Sequence, residues 1–374
     1  MKLSLVVSFV LGAIFSGAIQ LVLAIVFEAN MRRAYRRIRG RVLSVVAALR
    51  GAADIYGLEY FRVGGVRVNC IVLEGTASTA FLSDALVGNL RNDPIRLPDD
   101  LRKRYDDVTR QQAKIARRTG HPTFTNGPMV SLEGWSRGRT LEAEDALLTL
   151  RFRMTDYYTF LATAMSLDNR IDSPGGPITI RDKYLGGRGY RSPNPLIATS
   201  FGVNLALVTH DRYTFLSRRG TAGLSSYAGK FAVPIAESVH PAFDASGSGR
   251  IDFALTAQRG AMEEVNIEVK RDEIALFSLV VDTTWYLYGL TGAVYSSTYG
   301  RDDVIAARSL GTKDRWEADQ MLPIPFSPTD IARFIKDNGG TDQFSPSSIV
   351  AVVQALIHYF GERTTYRTFR SEFR

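Results

Sequence analysis

Gln258-Arg259-Gly260-Ala261-Met262-Glu263-Glu264-Val265-Asn266-Ile267 carries the densest chemical pattern in this 374-residue chain. An arginine is followed four and five residues later by adjacent glutamates, and then by apolar positions. On a helix, Arg259 and Glu263 share a face and Glu264 lies one step round. Paired carboxylates suit a hard cation such as magnesium, whose shell also accepts phosphate oxygens and water. The same letters describe an exposed helix with one i,i+4 ion pair and no ligand. The flanking sequence bears on the choice.

Upstream of this stretch, residues 202–209 and 213–217 read as two β-rich strands joined by a turn at His210-Asp211, the second ending in Arg218-Arg219-Gly220. Residues 229–234 read as a short strand before a longer insertion, and residues 255–267 as the helix. Downstream, residues 274–279 and 285–294 read as further strands, and residues 346–359 as an amphipathic helix with Ser345 placed to cap it and Pro346 at its first position. Strands and helices mixed in this way predict an α/β/α sandwich over about residues 194–360.

Residues 30–192 form an intermediate α+β region. Residues 60–73 read as strands around a Gly64-Gly65 turn, and residues 99–118 as a solvated helix after Pro98. Residues 121–138, rich in Gly, Pro, Ser and Thr, read as loop, and residues 141–161 as helix by composition. Gly-rich breaks at 173–177 and 186–189 precede the sandwich.

The order of four segments resembles that of Nudix domains. They are Asn194-Pro195-Leu196 through Gly202-Val203-Asn204, the Phe-Leu-Ser-Arg-Arg strand end at 215–219, Gly229-Lys230-Phe231-Ala232-Val233-Pro234, and Arg259-x-x-x-Glu263-Glu264-x-x-Ile267. The resemblance implies an α/β Nudix-like sandwich in which helix glutamates hold magnesium beside a nucleoside diphosphate-linked substrate. Matched residue by residue, it gives Glu263 and Glu264 as the metal pair, Arg259 as the arginine that orients them, and Arg218 and Arg219 as phosphate or nucleotide contacts. A charged strand edge describes those last two equally well. The family has a glutamate directly after the arginine where this chain has Gly260, so no catalytic base is assigned. Ile251 and Ala245 stand where the family has an upstream glutamate and a leading glycine, with Gly247 and Gly249 close by. Glu237 could supply the missing carboxylate only if the chain folded back. Asn266 replaces a family glycine and suits left-handed backbone.

Residues 3–27 carry no charge and exceed the roughly 20 residues that cross a bilayer as a helix. A cleaved signal peptide is the rival reading, opposed by the length of the run and the single Lys2. Six arginines between Arg32 and Arg41 follow directly, which predicts an inner-membrane, single-pass chain with a cytoplasmic C-terminal body. Gly12/Ser16 and Ala13/Gly17 place small residues at helical spacing, compatible with homo-oligomer formation through the span. The net charge of +8 and pI near 9.5 partly reflect the arginine cluster, so no nucleic-acid partner is expected. The single cysteine, Cys70, excludes an intrachain disulfide.

The combined architecture resembles the SMODS-associated NUDIX proteins, membrane-tethered effectors of bacterial cyclic-oligonucleotide antiphage signalling (CBASS). That resemblance implies a cyclic nucleotide second messenger as the partner. Three functions stay open: a nucleotide-sensing effector, a membrane-anchored magnesium hydrolase of nucleoside diphosphate derivatives, and a non-catalytic interaction protein.

Overall fold

The computed structural model describes residues 60–374, apart from 83–84, 121, 140–145, 174–175, 187–188, 221–226 and 313–317. The span expected at 3–27, its small-residue faces and the arginine cluster lie outside the described residues. Among the described residues no helix is long and apolar enough to cross a membrane. All of them belong to one compact unit, Leu58–Arg374.

The unit is a mixed α/β structure. β1 (Arg62–Val63) and β2 (Val66–Arg67) form the expected hairpin across Gly64-Gly65. Both glycines take positive φ, 57° and 95°, where a side chain would be strained. β3 (Cys70–Gly75) and β4 (Leu86–Pro94) then part into different sheets. The charged segment forms the helix Asp99–Thr119, closed by Gly120 in left-handed geometry.

Two expectations for the intermediate region are corrected. Residues 121–138 are not all loop, because Pro128–Arg139 is β5. Residues 141–161 are not one helix. Ala146–Asp156 is β6, and only Tyr157–Ala162 is helical, capped by the Asp156 carboxylate, which accepts from Thr159 N at 2.9 Å. In β6, Leu148, Leu150 and Phe152 are buried while Arg151 is exposed. That period of two outweighs a composition rich in helix formers. β5 and β6 pair antiparallel, and β6 pairs parallel to β4. A further short hairpin joins β7 (Arg170–Ile171) to β8 (Ile178–Thr179).

The larger sheet is built on β9 (Phe201–Val208), β10 (Tyr213–Arg219), β11 (Phe231–Ala232) and β12 (Ile235–Ser238). β13 (Arg250–Ile251) instead pairs with β4 in the smaller sheet. β14 (Ile274–Asp282), β15 (Leu287–Tyr295) and β16 (Ala318–Pro325) complete the larger one. Its order is β11-β10-β9-β15-β14-β3, with β12 on β9 and β16 on β10. β9 and β15 run parallel and the other pairs antiparallel. β3 therefore brings the intermediate region into this sheet.

Both faces of the sheet are covered. Val203, Leu205 and Leu207 pack into one apolar cluster with Ala257, Ala261 and Val265 of the glutamate-bearing helix. Ala206 and Val208 face the second cluster with the helix Pro346–Phe360. That helix was expected to be amphipathic, yet Ser348 to Ile357 are all buried. It is a core helix, fixed by Gln354, whose Nε2 donates to Ser278 Oγ (2.7 Å) and whose Oε1 accepts from Thr291 Oγ1 (2.6 Å). Ser345 stands at the N-cap but makes no side-chain cap bond.

Phe152 of β6, Phe201 of β9 and Phe253 form a triangle with ring centroids 4.7, 5.9 and 6.2 Å apart. It welds the two sheets into one core. Phe152→Ala is expected to cost about 3–5 kcal/mol. In denaturant titration of the full-length chain, the described unit should unfold in one transition that shifts as a whole. A variant that melts only the smaller sheet's signal would show that the sheets are separate folding units.

Candidate functional site

The stretch quoted first is a helix, but not a uniform one. Phe253–Gly260 is α-helical, with Asp252 as N-cap accepting from Ala254 N and Leu255 N. Ala261–Val265 then widens into a π turn that holds Glu263 and Glu264. Such turns are rare and recur at functional sites. Asn266 ends the helix in left-handed geometry (φ 62°, ψ 42°), as its short amide side chain allows. Its Nδ2 donates to Ala307 O at 2.9 Å.

Arg259 is the hub. Its Nη1 reaches Glu237 Oε1 at 2.7 Å and Glu263 Oε2 at a looser 3.7 Å. Its Nη2 donates to Asp244 Oδ2 and to Ser238 O, both at 2.7 Å. Burial works against its charge, and Asp244 and Glu237 more than offset that, holding its pKa above the ordinary arginine value. Asp244 is buried and also accepts from His240 N at 2.8 Å. Burial first, and Arg259 second, lower the pKa of His240. Its Nδ1 accepts from Ala242 N at 3.2 Å.

The chain does fold back. β12 lies antiparallel to β9, with Glu237 opposite Val203, and this brings Glu237 against the helix. A Cβ built on Gly260 would stand 2.6 Å from Glu237 Cβ and 3.2 Å from Ile235 Cγ2. No side chain fits there. Gly260 and Glu237 pack against each other, with the strand glutamate filling the space that a side chain at 260 would use. Glu264 also reaches this strand, its Oε1 accepting from Ala236 N at 3.0 Å.

A cavity of about 790 Å³ opens beside the hub. Arg259, Glu237, Glu263, Glu264 and His240 line it, as does Arg219. Arg218 does not. It is exposed, its Nε donates to Gly229 O at 3.2 Å, and its guanidinium lies 5.7 Å from the centre of the Phe231 ring. The structure thus gathers Arg219, Arg259, Glu263 and Glu264 and leaves Arg218 outside. Carboxylate oxygens are the donors that magnesium prefers, and Glu263 and Glu264 supply two such groups. Among the described residues no group of three or more His, Cys, Asp or Glu side chains is arranged to hold an ion. A cation at the pair would therefore draw the rest of its shell from a ligand's phosphates and water.

Sequence reading missed Asp244, Asp282 and Tyr227. Asp282 and Tyr227 also line the cavity, and the Tyr227 hydroxyl donates a short hydrogen bond to Asp282 Oδ2. Burial pushes Asp282 up to about 6, although Tyr227 and two backbone N–H groups pull the other way. An aspartate at the end of a strand gives no local signal of this. Its Oδ1 accepts locally from Thr284 N at 2.8 Å, but its other oxygen is paired with Tyr227, 55 residues earlier, which no short window contains.

No protein-family model matches the chain. No curated protein matches it. Among solved structures it is similar to the crystal structure of DR0079 from Deinococcus radiodurans, at 16% identity and a TM-score of 0.28, over 47% of this chain and 89% of that one. A likeness at that score carries no argument.

Gly260→Ala tests the packing. Alanine in an open helix would stabilise by up to about 1 kcal/mol. Here the clash with Glu237 should reverse the sign, to a loss of about 1–3 kcal/mol. In a Glu237→Gly background the same change should be neutral or stabilising. An unaltered effect in the double mutant would separate the two residues.

Asp282 predicts a pH dependence. Its folded pKa lies above the ordinary 3.8, so between about 4 and about 6 the folded state binds more protons than the unfolded one. Stability should fall as pH rises through that window and level above it. Relative to Asp282→Asn, the unmodified chain should lose about 1–3 kcal/mol across the window in denaturant titrations. Parallel curves would contradict the burial argument.

Proposed function

We propose that the chain is a membrane-anchored effector of cyclic-oligonucleotide antiphage defence, in which a Nudix-like domain, residues 194–360, recognises a nucleotide signal. The observation that carries this reading is the meeting of Arg259, Glu263 and Glu264 with Arg219 in one cavity of about 790 Å³, within the size range of small-molecule sites. The order of the box residues and the left-handed Asn266 at its end support the Nudix-like assignment. Glu263 and Glu264 would hold magnesium shared with the ligand's phosphates, and Arg219 would contact phosphate directly. When bound, the ion neutralises phosphate charge and polarises the phosphorus–oxygen bonds. Arg259 sets the positions of the carboxylates rather than touching the ligand. The uncharged run at 3–27 and the arginines after it support anchoring in the inner membrane with a cytoplasmic body. Self-association through the span would carry the signal to the membrane.

One observation favours the hydrolase alternative. Glu237 stands against Gly260 and brings a strand carboxylate to Arg259, which also contacts Glu263. With that group the site is not stripped of acidic residues, and slow turnover of a nucleoside diphosphate derivative is compatible with it.

The experiment is a calorimetric titration of the full-length protein in nanodiscs with cyclic diadenylate, cyclic triadenylate and ADP, with and without magnesium, alongside an assay of phosphate release. Saturable binding that weakens at least about tenfold in Glu263→Gln/Glu264→Gln is expected, with little turnover. Rapid turnover would promote the hydrolase, and binding of none of the three would overturn the nucleotide reading.

A further inference from the structure

The cavity has a second kind of lining, drawn from the intermediate region rather than from the Nudix-like stretch. Phe124, Met129, Tyr157 and Met165 line it, together with Thr123 and Thr125. The four apolar side chains are half-buried. The rings of Phe124 and Tyr157 lie 5.5 Å apart and tilted.

Met129 lies on β5 and Tyr157 opens the helix Tyr157–Ala162, whereas Phe124 lies in irregular chain that is pinned by hydrogen bonds. Both backbone groups of Phe124 are taken by side chains. Its N–H donates to Oε1 of the buried Gln112 at 3.1 Å, and its carbonyl accepts from the Tyr158 hydroxyl at 2.9 Å. Tyr157 N donates to Gly127 O at 3.0 Å, and Tyr158 N to Asn126 Oδ1 at 2.8 Å. The segment is tied to the helix Asp99–Thr119 on one side and to the turn Tyr157–Ala162 on the other. A flexible loop with an apolar residue needs none of these bonds. A preorganised aromatic surface that opens into a polar cavity does need them.

We propose that Phe124 and Tyr157 are the stacking platform for the base of the nucleotide, so that the intermediate region, not the Nudix-like stretch, selects the ligand by its base. The inference rests on the nucleotide reading above and specifies its second half. A nucleotide is anionic at one end and flat and aromatic at the other. The cavity offers Arg219 and the glutamate pair for the first and two partly exposed rings with two thioethers for the second. Aromatic stacking holds any base, and Thr123 and Thr125, which also line the cavity, are the polar residues next to Phe124.

The test compares ADP with pyrophosphate, its core without base or ribose, on the full-length protein in nanodiscs with magnesium. Wild type should bind ADP more tightly than pyrophosphate. Phe124→Leu and Tyr157→Leu keep apolar bulk and remove the ring. Each should weaken ADP roughly tenfold to a hundredfold and leave pyrophosphate unchanged. Phe124→Trp should retain ADP binding, and the base should quench the new indole while pyrophosphate does not. If the leucine variants bind both probes as wild type does, or weaken both equally, the platform is overturned while the nucleotide reading stands. If wild type binds pyrophosphate and ADP alike, the base makes no contact and the platform is again overturned. If wild type binds neither probe and neither cyclic adenylate, the nucleotide reading fails and takes this inference with it. If it binds a cyclic adenylate alone, the leucine variants are scored on that ligand, and unchanged affinity overturns the platform.

Discussion

The guanidinium of Arg259 is the constraint on which the site depends. It reaches Glu237 on β12, the Ser238 carbonyl, the buried Asp244 and, more loosely, Glu263 on its own helix. A fully engaged arginine of this kind works as a geometric fixture, because its donors point in set directions within the guanidinium plane. Stability alone does not explain it, since a well-packed apolar replacement of a buried ion pair is often neutral. Removing one partner is different. Without Arg259, Asp244 would keep a buried charge with no cation beside it, a loss of the order of 3–5 kcal/mol. The network therefore holds the helix, the strand and the insertion between them in a single arrangement.

That arrangement explains what could be read from the letters. The ion pair between Arg259 and Glu263 is local, and helical spacing announces it. The Gly64-Gly65 turn and the Asn266 terminus were legible for the same reason, because each is a backbone demand met by the residue that stands there. β9, β10, β14 and β15 were legible from β-branched and aromatic runs. Glu237 was not. Its partner lies 22 residues on, and its value comes from a strand pairing that no short window contains. β5 and β6 were misread because composition was weighed over period. Leucine and alanine suggested a helix across residues 141–161, whereas the alternation of Leu148, Leu150 and Phe152 with Arg151 specifies a strand against a core.

The two sheets meet in a way that makes the cavity a joint product. Phe152 comes from the smaller sheet and Phe201 from the larger, and their edge-to-face contact at 4.7 Å lies in the common core. The same elements continue outward to the cavity. β6 runs into the turn that carries Tyr157, and β12, paired to β9, carries Glu237. A change in the packing of either sheet moves one group of lining residues relative to the other. Cofactor and ligand sites are often found where two packed bodies leave a cleft between fixed walls.

The exchange between Gly260 and Glu237 also alters what the site can do. A carboxylate on the helix at 260 would move with Glu263 and Glu264, since one turn carries all three. Placed on β12, the Glu237 carboxylate belongs to the sheet, and Arg259 and the bond from Ala236 N to Glu264 hold it near the pair. Its Oε1 is already engaged twice, by Arg259 Nη1 and by Ser238 N at 3.1 Å. Both bonds would have to loosen for that oxygen to meet a ligand. To act as a base it would have to leave Arg259, and Arg259 would then keep Asp244 as its close partner. The contact between Glu237 and Arg259 therefore ties the strand wall of the cavity to its helix wall, together with the bond from Ala236 N to Glu264.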